Sequence, residues 1–135
     1  MQVWSPYLRQ DVERLEKIQR RATKMIRGLG NLTYEERLWR CELTTLEQRR
    51  NRGDLIEAFK IVTRRDKIPA QRLFEFAVDK RTRGHSYRMI KKSSGTIMQR
   101  FFSARVVNNW NKLGEEIVTA DSVKKFKKGL GELGY

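Results

Sequence analysis

Cysteine and histidine occur once each in this chain of 135 residues, as Cys41 and His85. A lone cysteine excludes an internal disulfide, and the two together fall short of the four Cys and His ligands that a structural zinc site uses. Proline occurs twice, as Pro6 and Pro69, each just ahead of a helical pattern. No apolar run approaches the length of a signal-peptide core or a membrane-spanning helix, so no membrane span is expected and the location reads as intracellular, nuclear or cytoplasmic. There is no Asp-Asp pair. Glu35 with Glu36 and Glu115 with Glu116 are adjacent acids, and adjacent residues of a helix face different ways. A single histidine does not assemble a Ser-His-Asp or Cys-His arrangement. Catalysis by the isolated chain is not expected, and no cofactor is implied.

Acidic residues are scarce beside basic ones. Sixteen Asp and Glu stand against 30 Lys and Arg, a formal net charge of +14, which favours a polyanionic partner, either nucleic acid or an acidic membrane surface. The surplus is densest from 80 to 114, where Lys80, Arg81, Arg83, Arg88, Lys91, Lys92, Arg100, Arg105 and Lys112 occur without one Asp or Glu. A solvated helix face mixes signs because like charges repel along it. An acid-free run of this length points instead to a partner that supplies the negative charge, with phosphate neutralisation and counterion release as the driving force. A nuclear-localisation address and an anionic membrane are the alternatives. Tyr87 and His85 lie inside the run, where their rings can stack on unpaired bases; the competing reading has Tyr87 anchoring the segment to the core. Arg49, Arg50 and Arg52 form a second basic cluster, beside Asp54 and Glu57, which offer ion pairs within the helix instead. Lys124, Lys125 and Lys128 form a third.

The length suits one domain with a real core, and apolar periodicity predicts it to be all-α, with about five to six helices at 8–27, 34–40, 45–64, 70–78, 97–113 and 122–130. In the first helix Leu8, Val12, Leu15, Ile18, Ala22, Met25 and Ile26 or Leu29 recur at helical steps and are expected to face inward. Its bases Arg20, Arg21, Lys24 and Arg27 fall late, where they complement the helix dipole or meet phosphate. Thr33 with Glu36, and Thr44 with Glu47, have the capping-box spacing, and Ser122 reads as an N-cap. Leu15, Leu38, Phe59, Phe102, Val106, Trp110 and Phe126 are the expected core. Trp4, Trp39 and Trp110 are expected to pack between helices rather than stack on bases. Residues 80–96 have breaks at Gly84 and at the Ser-Ser-Gly of 93–95; they read as an irregular basic loop, with a short hairpin arm near Tyr87, Met89 or Ile90, and as the mobile part of the chain.

Several blocks carry a family likeness. Val-Trp-Ser-Pro-Tyr-Leu (3–8) runs into Asp-Val-Glu-Arg-Leu-Glu-Lys-Ile-Gln-Arg-Arg-Ala-Thr-Lys (11–24), followed by Leu-Thr-Tyr-Glu-Glu-Arg-Leu (32–38) and Thr-Thr-Leu-Glu-Gln-Arg-Arg-Asn-Arg-Gly-Asp-Leu-Ile-Glu-Ala-Phe-Lys (44–60). Thr-Arg-Gly-His-Ser (82–86) and Phe-Phe-Ser-Ala-Arg-Val-Val-Asn-Asn-Trp-Asn-Lys-Leu (101–113) complete the series. In this order the blocks resemble the thumb and C-terminal segment, beyond the catalytic palm, of non-LTR (LINE-type) retrotransposon reverse transcriptases of the chicken-repeat and Jockey-like groups. The resemblance implies a helical segment that holds the RNA template or the RNA–DNA hybrid with low sequence specificity, with the remaining reverse-transcriptase domains as further partners. The palm's clustered carboxylates, which hold two metal ions for phosphoryl transfer, lie upstream in that family and are absent here. Three readings of the chain follow: a nucleic-acid-binding module, a helical protein-interaction module, and a decayed remnant without selected activity. The family continues upstream of Met1, so the resemblance also implies either a truncated element starting at an internal Met or a domesticated gene.

Overall fold

Local capping signals at Thr33, Thr45 and Ser122 place three of the helix starts. In the computed structural model, which describes residues 8–77, 84–91 and 97–135 and leaves out the side chains of 97–101, the chain is all-α apart from one two-stranded pairing. Helices α1 (Arg9–Lys24), α2 (Tyr34–Arg40), α3 (Leu46–Val62) and α4 (Ala70–Leu73) are followed by strands β1 (Glu75–Phe76) and β2 (Met89–Ile90). Helices α5 (Ile97–Trp110), α6 (Glu115–Val118) and α7 (Val123–Glu132) complete the order. Thr33 and Glu36 form the reciprocal capping box expected at α2. At α3 the box lies one residue later than predicted: Thr45 N–H donates to Gln48 Oε1 at 3.1 Å, and Gln48 N–H donates to Thr45 Oγ1 at 3.2 Å. Ser122 caps α7 by accepting from Lys125 N–H at 3.2 Å, a contact whose removal costs about 1 kcal/mol.

The described residues divide into two compact units, one within Trp4–Arg50 and one within Asn51–Tyr135. In the first, α1 packs on α2 through a polar stripe. Glu16 accepts from the Tyr34 hydroxyl, and its other carboxylate oxygen accepts from the Leu46 N–H at 3.0 Å. Gln19 Nε2 donates to the Tyr34 hydroxyl at 3.0 Å, and Arg37 Nε donates to Thr23 Oγ1 at 3.3 Å. Burial first, then the hydrogen bond to Glu16, hold the Tyr34 phenol above its ordinary pKa. Glu16, Gln19 and Thr23 follow one another at helical steps, so this stripe, rather than the predicted apolar one, faces α2. Leu8, Ile18, Ala22, Met25 and Ile26 are exposed, and Leu15 is half-buried. Trp39, expected to pack, is 78% exposed. Trp4 lies outside the described residues.

The second unit holds the hydrophobic core. Phe126 of α7 stacks on Phe59 of α3 with centroids 4.2 Å apart and lies 6.1 Å from Trp110 at the end of α5. Leu55, Ile61, Phe74, Phe102, Val106, Leu113, Val118 and Leu130 pack with them, all buried. Gly129 is integral to α7: a Cβ there would sit 3.1 Å from Ile117 of α6, so the missing side chain permits that approach. Helix α6 has no counterpart in the predicted elements. The helix predicted over 70–78 stops at Leu73. Phe74 is extended, and the chain enters β1 antiparallel to β2 with Glu75 opposite Ile90 and Phe76 opposite Met89. Pairing with residues about fifteen positions away in sequence overrides the local helical pattern there.

Helix α3 closes on a left-handed residue that is not glycine. Arg64 has φ +55°, and Arg65 N–H returns to the Lys60 carbonyl at 2.8 Å in the manner of a Schellman cap. For a side-chain-bearing residue this conformation costs about 1–2 kcal/mol.

Candidate nucleic-acid interface

Segment 84–91 is fastened to the core at its backbone. Trp110 Nε1 donates to the Tyr87 carbonyl at 2.9 Å, and His85 Nε2 lies 3.0 Å from the Trp110 carbonyl, to which it donates. Asn111 acts as a strand edge, accepting from Met89 N–H at 2.9 Å and donating to the Met89 carbonyl at 2.8 Å. Ala77 N–H reaches the Arg88 carbonyl at 2.9 Å. Glu115 accepts from both the Ser86 N–H, at 2.7 Å, and the Ser86 hydroxyl, at 2.6 Å. The segment 84–91, expected to be part of a mobile loop, is thus held at the Ser86, Tyr87, Arg88 and Met89 backbone by Glu115, Trp110, Ala77 and Asn111. Residues 78–83 and 92–96 lie outside the described residues.

That fastening decides which predicted contact residues face solvent. His85 is 6% exposed, and its ring stands nearly perpendicular to that of Trp110 with centroids 6.0 Å apart, so it is a core residue and not a stacking platform. Tyr87 anchors the segment through its carbonyl, and the residue is 40% exposed. Arg88 and Lys91 flank β2 and are exposed. Arg81, Arg83 and Lys92 fall outside the described residues, as does the side chain of Arg100 in α5.

Elsewhere several predicted contacts are engaged within the protein. Arg105 pairs with buried Asp54 at 3.0 Å and keeps 30% of its side chain exposed. Arg52 donates to the Lys127 carbonyl at 2.9 Å and to the Tyr135 carbonyl, tying α3 to the end of α7. Arg49 donates to Gln19 Oε1 at 2.9 Å and to the Thr44 carbonyl at 3.2 Å. Arg50 is half-buried. On α7, Phe126 and Leu130 turn inward while Lys124, Lys125, Lys127 and Lys128 are exposed. Lys125 is held by Asp121 at 2.6 Å, and this bond, more than the charge alone, holds the Asp121 carboxyl below its ordinary pKa. Lys124 and Lys128 remain on the exposed face.

The tether at Ser86 depends on pH. The Ser86 hydroxyl, and next its N–H, lower the Glu115 pKa. A depressed carboxylate contributes fully above its ordinary value of about 4.3 and loses that contribution as pH falls through the lower folded value. Acidification through that lowered value is therefore expected to release Ser86, and Glu115→Gln should loosen it at neutral pH. Amide exchange at Ser86, corrected for its intrinsic rate, reads both effects. Protection unchanged by either would contradict the tether.

Among the described residues no group of three His, Cys, Asp or Glu could hold a metal ion, and no helix is long and apolar enough to cross a membrane. No protein-family model, curated protein or solved structure matches the chain.

Proposed function

We propose that the chain is a non-catalytic nucleic-acid-binding helical module of the kind that its likeness to LINE-type reverse transcriptases implies, acting inside the cell, in nucleus or cytoplasm. It binds RNA or an RNA–DNA hybrid. The observation that carries this reading is the acid-free stretch from 80 to 114 with its nine bases. Exposed Arg88 and Lys91 on a fastened segment, and Lys124 and Lys128 on α7, support it. Lysines and arginines on open surfaces neutralise phosphate without reading base edges, so the module has little sequence preference. The remaining reverse-transcriptase domains are its natural protein partners, and it needs no cofactor.

A second reading, a protein-interaction module, draws on the unit Trp4–Arg50, where Ile18, Met25 and Trp39 are 65%, 81% and 78% exposed. Apolar side chains exposed to this degree on one small unit suit a partner surface. Reversing two charges separates the readings. Arg88→Glu combined with Lys91→Glu is expected to weaken binding of all sequences alike and to flatten the log–log salt slope by about two units. Unchanged affinity and slope, with Trp39→Asp abolishing a protein contact that persists at high salt, would favour the second reading.

A further inference from the structure

The Asn51–Tyr135 unit has an open cleft of about 860 Å³, bounded by the end of α3, the start of α4, β1 and segment 84–91. Its lining joins an apolar floor, with half-buried Val62, Ile68 and Phe76, to exposed Tyr87. Arg64 and Lys67 contribute two exposed cations. Asp66, the one carboxylate among the described residues of this lining, offers an acceptor to a base amine. Neighbouring Arg65 turns to the Asp121 carbonyl instead.

We propose that this cleft takes an unpaired nucleobase of a single strand, stacked on Tyr87, with the adjoining phosphate on Arg64 and Lys67. An aromatic face beside cations is the combination that single-stranded nucleic acid selects, because every base has a π-face and every linkage a charge. Two features of the fold favour the assignment. Trp110 holds the Tyr87 carbonyl, while Glu115 and Asn111 hold the backbone N–H groups of Ser86 before it and Met89 after it, so Tyr87 stands on a fastened backbone. Arg64 occupies a left-handed position that glycine would fill without strain, so a guanidinium at the cleft comes at a cost to the fold. A paired base cannot enter, since its faces and edge are engaged in the duplex. This site rests on the nucleic-acid reading above and adds to it a preference for unpaired strands.

The test uses the full chain with a ten-nucleotide single-stranded RNA and with the duplex of the same sequence. Tyr87→Ala is expected to weaken single-strand binding by roughly tenfold or more, leaving duplex binding and both salt slopes unchanged; Tyr87→Phe should restore it. Arg64→Gly should raise the thermal midpoint, by relieving the left-handed residue, while weakening single-strand binding. Photocrosslinking of unmodified protein to a 4-thiouridine-containing strand should label the tryptic peptide that spans 84–88. Equal losses for single strand and duplex on Tyr87→Ala, no loss in either, or crosslinks confined to other peptides would overturn the cleft while leaving the phosphate-binding surface standing. Absence of any nucleic-acid binding by the wild-type chain at low salt would overturn both.

Discussion

Trp110→Ala is expected to cost about 3–5 kcal/mol of folding stability. The indole is 0% exposed, so its removal leaves a void beside Phe126, whose ring lies 6.1 Å away, and beside the His85 ring at 6.0 Å. The loss is more than volume. Trp110 Nε1 donates to the Tyr87 carbonyl, and Ala leaves that carbonyl short of its partner. Trp110→Phe separates the two contributions, because it retains much of the ring but not the donor, and should cost about 1–3 kcal/mol. A small domain has about 5–15 kcal/mol in total, so the Ala variant should sit near the edge of folding at 37 °C. Chemical denaturation with equal slopes for both variants checks this. A difference below about 1 kcal/mol for Trp110→Ala would place the indole outside the core.

Features that depend on neighbours in sequence were legible. Thr33 with Glu36 and Ser122 ahead of Val123 act within one helical turn, so their spacing is enough to place α2 and α7. The Thr-Thr of 44–45 offers two overlapping boxes, Thr44 with Glu47 and Thr45 with Gln48, and only the fold selects the second. Six of the seven expected core residues are buried, Leu15 being the half-buried exception, because apolar periodicity records burial well in α3, α5 and α7.

What depended on distant partners was not legible. The inward face of α1 is set by Tyr34 and by the Leu46 N–H, 30 residues beyond Glu16, and a polar stripe satisfied at long range is indistinguishable in sequence from a solvated one. Charge behaves likewise. Composition counts bases but not their partners, so Arg105 and Arg52 looked available until Asp54, 51 residues away, and the Tyr135 carbonyl, 83 residues away, entered. Arg64 and Lys67 escaped notice because Asp66 between them makes the stretch read as an ordinary mixed loop, and only the left-handed backbone sets Arg64 apart.

Salt is expected to have the largest effect on binding. Several predicted bases are engaged internally, and Arg88, Lys91, Lys124 and Lys128 are exposed, in keeping with about four to six phosphate contacts once the rest of the acid-free stretch is included. Each contact releases roughly 0.9 counterion from a duplex, so affinity should fall by roughly two to three orders of magnitude between 50 and 200 mM salt. Hydrophobic association would respond weakly or in the opposite direction, since salts that are excluded from apolar surface strengthen burial. The measurement that bears most directly on the central claim is therefore equilibrium binding of the full chain to RNA and to an RNA–DNA hybrid of mixed sequence across that salt range. The account predicts a steep linear decline of log affinity with log salt, similar for unrelated sequences. Absence of binding at 50 mM salt, or an affinity indifferent to salt, would contradict it.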